Sequence, residues 1–390
     1  MFFSSCPEPW GGSEELWHGA ALRLKQSGYY VSACKTLVDD SHPRICELRS
    51  AGIEVKDYFR TPSVQLERVR RIVNRALPQR LQLRMGYDTY EACILVTSSG
   101  KYDLAVISQG ENFDGLTFVR LCQELRLPYV LVSQKASDQS WPPDHIRVMG
   151  RDAYLKARRS YFVSQHNRTL TERQFGTNIS NSEVVRNPFL TPTMEPLPYP
   201  PADDGTFRLA CVGRMYVPEK GQDILLRVLA MEKWRARNVE ISLYGKGCHA
   251  EAIKELATML SLSNVRFCGF STNVIDIWRT NHALVLASRA EGLPLVVVEA
   301  MLCGRIPIVT NVGGNPEVIE DGVTGFIADG IGVSALDAAM ERAWELRESW
   351  EAMGVAAAQD IRTRVPLDPC GVFANKLQSV CQSVRMGDAA

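Results

Sequence analysis

The stretch ALVLASRAEGLPLVVVEAMLCGRIPIVTNVGGNPEVIEDGVTGFIADG, residues 283–330, sets the carboxylates of Glu291 and Glu299 with seven residues between them and glycine-bearing turns on either side. Its opening, ALVLAS, reads as a buried strand. Pro294 fits the first position of a helix, Gly304 fits its stop, and IPIVT reads as the next strand. Val296 to Val298 are β-branched and disfavour helix, but the frame of Pro294 and Gly304 and the apolar stripe Leu295, Val298 and Leu302 outweigh them. Glu291 is therefore expected in the loop before a helix and Glu299 inside it. Such a loop lies at the carboxyl end of a parallel strand, where open α/β sheets bind ligands. The amides of Gly292 and Leu293 are placed to face an anion there. A phosphorylated, hydroxyl-rich ligand satisfies both features.

The same alternation of strand and helix extends outward in both directions. RLACVG, VEISLYG and VRFCGF precede ALVLAS, TGFIA follows IPIVT, and helices are expected to begin near Gly221, His249, Val274, Pro294, Pro316 and Ser334. The earlier half carries FFSS, YVSAC, LAVIS, YVLVSQ, YFVSQ and EVVRN, with helices over Glu14 to Ser27 and Thr117 to Leu125. Between the halves, NPFLTPTMEPLPYPPADDG at 187–205 is too rich in proline for helix or sheet and marks a boundary. The expected organisation is α/β, with two doubly wound domains at 1–200 and 201–365. A last amphipathic helix in 366–390, with Val372, Phe373, Leu377 and Val380 on one face, is expected to pack back on the first domain.

Composition sets outer limits. A chain of 390 residues exceeds one ordinary domain, and 44 basic residues balance 44 acidic ones, so nothing draws it generally to nucleic acid or an anionic membrane. No apolar run approaches the ~20 residues of a membrane span, and the start lacks the pattern of a signal peptide; the expectation is a cytoplasmic protein. The 11 cysteines are scattered singly and read as reduced thiols, and the histidines form no spaced cluster, so no metal site is expected. The segment 66–84 carries Arg68, Arg70, Arg71, Arg75, Arg80 and Arg84 around an apolar stripe. It fits a solvated helix face, or else a peripheral contact with a membrane surface or an acidic acceptor.

Three further places carry candidate chemistry. In CVGRMYVPEKGQ, Gly213 and Arg214 follow a strand and Lys220 precedes a helix, two cations suited to a diphosphate because each charge-assisted hydrogen bond contributes about 1.5–3 kcal/mol. In SLYGKGCHA, Gly245, Gly247 and Ala250 follow the glycine pattern of a dinucleotide turn. The next strand, VRFCGF, lacks the acidic residue that a dehydrogenase needs for the ribose. Near the start, Gly11, Gly12 and Ser13 open a helix whose amides can approach a phosphate. Ser13 is a candidate cap, Glu14 or Glu15 a first-turn acid, and His18 can share a face with Glu14.

Together these residues resemble the retaining nucleotide-sugar glycosyltransferases of the GT-B fold, specifically glycosyltransferase family four. The match rests on Gly213 and Arg214 ending a strand, Lys220 and Gly221 opening a helix, the turn of Gly245 and Gly247, Glu291 to Pro294, and Glu299 to Met301. It covers residues from about 208 to 330, with PWGGSEEL near the start similar to the family's first loop. The resemblance implies two Rossmann-like domains facing a central cleft, and a sugar moved from a UDP- or GDP-sugar to a glycan or glycolipid with retained configuration, without a metal or other cofactor. It implies that Arg214 and Lys220 neutralise the diphosphate and that Glu299 binds the ribose hydroxyls. Glu291, with Gly292, Leu293 and Pro294, would hold the sugar, and Gly12 would let the first loop reach the phosphates. Where the family often has a histidine in its first domain, PYVLVSQKASDQSW places Gln134, an amide that cannot titrate. Gln134 and Glu14 are the candidates for the acceptor or sugar side. Two other readings stay open: a nucleotide-sugar-binding protein without transfer, and a different reaction on the same fold, such as epimerisation, or failing that a nicotinamide oxidoreductase.

Overall fold

The computed structural model describes residues 1–6, 8–57, 102–189, 191, 195–202, 204–271 and 273–387. The basic segment 66–84 lies outside them. The described strands form two sheets. The first orders β1 (Phe2–Ser4), β2 (Ser32–Lys35), β3 (Glu54–Asp57), β4 (Ala105–Gln109), β5 (Tyr129–Ser133), β6 (Arg159–Phe162) and β7 (Ser182–Val184) as β3-β2-β1-β4-β5-β6-β7. The second contains β8 (Phe207–Val212), β9 (Val239–Tyr244), β10 (Val265–Gly269), β11 (Ala283–Leu286), β12 (Ile306–Thr310) and β13 (Phe326–Ala328), ordered β10-β9-β8-β11-β12-β13. Every pair of neighbours is parallel. The chain is α/β with two Rossmann-like domains.

Strand sequence explains the burial. Side chains alternate across a sheet, so Phe2 enters a cluster with Leu16, Trp17, Val106 and Val132, while Phe3 enters another with Ile107, Phe118, Leu131 and Phe162. Both faces are thus covered by helices, as apolar parallel strands require. The strand β3, EVKD, is an edge strand with only Val55 buried, which is why no apolar run announces it. The helix Leu295–Leu302 forms despite its valines. Pro294 stands one residue outside it, in extended conformation, rather than at its first position. Gly304, at φ +76, closes its far end; the Gly304 amide bonds Met301 O and the Arg305 amide bonds Ala300 O, the paired bonds of a Schellman stop.

The chain crosses between the domains twice. After β7 it runs through the proline-rich seam to β8, and the helix Pro369–Gly387 returns to place Phe373, Leu377 and Val380 in the cluster around Phe2. The seam is tied to the second domain by Arg305, which is fully buried. Its guanidinium donates to the carbonyls of Trp278, Asn281, Leu197, Cys303, Gly304 and Pro198. A buried cation held by carbonyls and the face of Tyr199 is costly to desolvate, and burial pushes its pKa down, yet removing it orphans the acceptors it serves. Arg305→Ala is expected to lose about 3 kcal/mol of stability, read as a lower urea midpoint in equilibrium denaturation.

Candidate functional site

Strand order fixes where ligands can reach. In the second sheet the chain leaves β8 toward β9 on one side and leaves β11 toward β12 on the other, so a crevice opens between the carboxyl ends of β8 and β11. Gly213 and Arg214 follow β8 directly, and the loop with Glu291 follows β11. The corresponding crevice of the first sheet lies between β1 and β4, and Gln134 and Lys135 follow the neighbouring β5. The two crevices face each other, because residues from both come into contact.

On the second-domain side the backbone is pinned tightly. The turn Val217–Lys220 is held to the β11 loop by Arg289, whose guanidinium grips Asp223 at 2.7 Å through both nitrogens and donates to Val217 O at 2.8 Å. Gly245 has φ +145, and a Cβ there would sit 1.9 Å from Gly213 O; one on Gly247 would sit 2.4 Å from Met215 O. The glycine pattern of that turn is thus required by backbone packing beneath Arg214. Gly292 meets the other domain, since a Cβ on it would lie 2.1 Å from Gln134 O. On the opposite wall, a Cβ on Gly12 would lie 3.2 Å from Leu295 Cδ1. Leu293 is buried, and Glu299 is a buried carboxylate within the helix, 4% exposed.

The charged groups form a ladder across the cleft. Lys220 Nζ donates to Glu291 Oε1 at 2.6 Å, and Ser288 Oγ donates to the same oxygen at 2.8 Å. Arg214 pairs with Glu8 of the first domain and, at 3.0 Å, with Glu219; it also lies over the Tyr216 ring, 4.9 Å from its centroid. Lys135, from the first domain, is 2.7 Å from Glu219 and 3.2 Å from Glu111. Burial alone raises the pKa of Glu219, but Lys135 and Arg214 outweigh it and hold the carboxyl below its usual range. Burial lowers that of Arg214, and Glu219 and Glu8 more than reverse it.

The sequence-level candidates Arg214, Lys220, Glu291, Gly213 and Gly292 are therefore brought together. Gln134 lies against them: its side chain is 5% exposed, Oε1 accepts from Asn187 Nδ2 at 2.8 Å, and Nε2 has no hydrogen-bond partner. Glu14 is a correction. It is wholly buried, bonded by Ser4 Oγ and by Trp17 Nε1 at 3.1 Å, with Lys35 Nζ 3.6 Å away, so it offers no surface to an acceptor. Burial, opposed by Lys35, pushes its pKa up. Ser13 does not cap the helix: the cap positions fall on Gly11 and Glu14, and neither makes a side-chain capping bond. His18 is turned toward Glu47, 3.2 Å away, rather than toward Glu14. Glu8, Glu111, Lys135 and Glu219 were not singled out from sequence; the placement of Lys135 immediately after an apolar strand was the available signal. Among the described residues no group of three or more His, Cys, Asp or Glu could hold a metal ion.

Residues 206–345 match the family model described as glycosyl transferases group 1. The chain has the two-domain GT-B fold, and its second domain carries the segment that is similar to this family. It is 27% identical over 236 residues to the GDP-mannose-dependent alpha-(1-6)-phosphatidylinositol monomannoside mannosyltransferase of Mycolicibacterium smegmatis, covering 54% of this chain and 58% of that one. Over 154 residues it is 32% identical to the D-inositol 3-phosphate glycosyltransferase of Streptomyces griseus, covering 36% of this chain and 32% of that one. The matched region thus spans less than two thirds of either relative. Among solved structures, Anabaena HepE in complex with UDP and glucose superposes with a TM-score of 0.70 at 19% identity, over 97% of this chain and 99% of that one. Sucrose-phosphate synthase from Thermosynechococcus elongatus does so at 0.73 and 15%, over 100% and 99%. These structural likenesses establish the fold.

Glu8 presents its carboxylate to Arg214 from across the cleft, so an anionic ligand must compete with it there. Glu8→Gln is expected to tighten binding of a diphosphate by about two- to fivefold in isothermal titration calorimetry, the range of a partly exposed charge pair; weaker binding would count against competition at Arg214.

Proposed function

We propose that this protein transfers a sugar from a UDP- or GDP-sugar to a glycan or glycolipid acceptor with retention of anomeric configuration, in polysaccharide or glycoconjugate biosynthesis. The observation that carries the reading is the contact of Lys220 with Glu291, and Arg214 at the end of β8, at the switch point of the second sheet, inside the segment that matches the group 1 family. The relative named as GDP-mannose-dependent and the structure titled with UDP and glucose support a nucleotide-sugar donor.

The chemistry follows from charge. As the bond between sugar and diphosphate breaks, negative charge accumulates on the leaving phosphate. Arg214 and Lys220, fixed by the β8 turn, stabilise that charge without rearrangement at the moment of reaction. The reading assigns no metal to this step and needs no further cofactor. Glu299 holds the ribose hydroxyls, and Glu291 with the amides of Gly292 and Leu293 orients the sugar, with Pro294 fixing the exit of the loop. The turn of Gly245 and Gly247 supports the wall beneath the diphosphate, and Gly12 lets the first loop approach from the other side. The acceptor attacks from the face the phosphate leaves, and the phosphate takes the acceptor's proton, so no side chain is named as general base. Gln134, whose backbone carbonyl lies against Gly292 and whose Nε2 has no hydrogen-bond partner, is the group we assign to a sugar hydroxyl.

Among the described residues no helix is long and apolar enough to cross a membrane. The reading places the enzyme in the cytoplasm, with lipid-linked acceptors met at the inner face of the membrane through segment 66–84.

A thermal-shift panel of UDP- and GDP-sugars is expected to yield one stabilising donor, because a ligand that binds only the folded state raises its stability. Arg214→Ala and Glu299→Ala are expected to abolish that shift while the unliganded melting temperature stays close to wild type, and full transfer activity in both would reject the site. Mass spectrometry of the products separates transfer from epimerisation. Gln134→Ala is expected to change sugar or acceptor preference while UDP or GDP affinity stays within about twofold of wild type; an unaltered substrate profile removes Gln134 from the sugar side.

A further inference from the structure

Lys135 has no assigned part in the reaction, yet it stands in the middle of the cleft. It follows β5 at the carboxyl edge of the first sheet, and the residue before it places its carbonyl against Gly292 of the second domain. Its ammonium is 2.7 Å from Glu219 Oε1, and Arg214 Nη2 is 3.0 Å from Oε2 of the same carboxylate. One carboxylate is thus gripped by a cation from each domain. An anion bound at Arg214 lies within the sweep of the four-carbon stem of Lys135.

We infer that Lys135 is a donor-binding residue, a third cation that contacts the diphosphate from the first domain opposite Arg214. The inference rests on the nucleotide-sugar reading above. Formal charge favours a third cation. Arg214, Lys220 and Lys135 face four carboxylates, Glu8, Glu111, Glu219 and Glu291, so the cluster already carries a negative excess before a diphosphate enters. Without Lys135, two cations would have to hold the diphosphate against those same four carboxylates. Lysine suits the task because its ammonium is a point charge on a flexible stem, able to leave one anion for another as the ligand arrives. The side chain is 16% exposed, so its exchange of partners takes place in a partly desolvated site, where charge counts for more than at the surface. Lys135 belongs to the first domain, and the contact therefore couples donor binding to the apposition of the domains.

Isothermal titration calorimetry with UDP and GDP on the full chain tests the assignment, using Lys135→Met and Lys135→Gln, each also combined with Glu219→Gln. The expected result is a loss of about tenfold in affinity for the nucleotide that wild type binds, persisting in the Glu219→Gln background. An affinity within about twofold of wild type overturns it. So does a loss that disappears once Glu219 is neutralised, since Lys135 would then act only by masking that carboxylate. If Arg214→Ala loses the nucleotide while both Lys135 variants keep it, the Lys135 assignment fails alone. If wild type binds neither UDP nor GDP, the nucleotide-sugar reading falls with it.

Discussion

Parallel pairing of the strands is the constraint on which the rest depends. A parallel sheet sends every strand in one direction, so the loops leaving the strands gather along one edge and the returning helices cover both faces. In each domain the strand order then splits the edge at one point, between β1 and β4 in the first sheet and between β8 and β11 in the second. Polar groups that would be ruinous inside the apolar cores around Phe3 or Leu284 collect at those two edges. Because the edges face one another, loops far apart in sequence become the two walls of one cleft.

Electrostatics in that cleft is arranged by alternation. Glu8, Arg214, Glu219, Lys135 and Glu111 follow one another across the domains, each charge neighboured by its opposite. Surface ion pairs of this kind contribute little to stability one by one. Their value lies in keeping cations ionised and oriented in a partly buried place, where bare desolvation would oppose charge. The ladder also makes the site selective by sign: an incoming group must bring enough negative charge, in the right geometry, to replace the carboxylates it displaces.

Much of this was legible from the chain. Second-domain strands such as ALVL and IPIVT are apolar runs buried on both faces, and Pro294 and Gly304 framed the helix between them against the pull of its valines. What escaped did so for physical reasons. The edge strand EVKD buries one side chain and carries no apolar signature. The helices Pro43–Ser50 and Asp144–Lys156 have only a few buried positions each, and Trp350–Arg364 buries mainly alanine and glycine, so their patterns are weak. Glu14 sits in a first turn that reads like any solvent-facing acid, and only the tertiary position of Ser4 and Trp17 shows that it turns inward. Arg214 and Lys220 could be found because glycines flank them within one loop. Glu8, the partner of Arg214, lies 206 positions away from it, and no spacing rule links residues that meet only when two domains are apposed.

The return of the helix Pro369–Gly387 to the first domain has a consequence for how the protein is made. The core around Phe2 and Trp17 includes Phe373, Leu377 and Val380, yet the whole second domain is translated before those residues emerge. The first domain to be synthesised is thus the last to be completed. During elongation its sheet waits with an apolar face partly uncovered, while the second domain, whose core cluster ends at Val365, can close on its own. Vectorial synthesis therefore leaves the first domain to be completed after the second, with a defined apolar face for chaperones to shield until this helix has emerged.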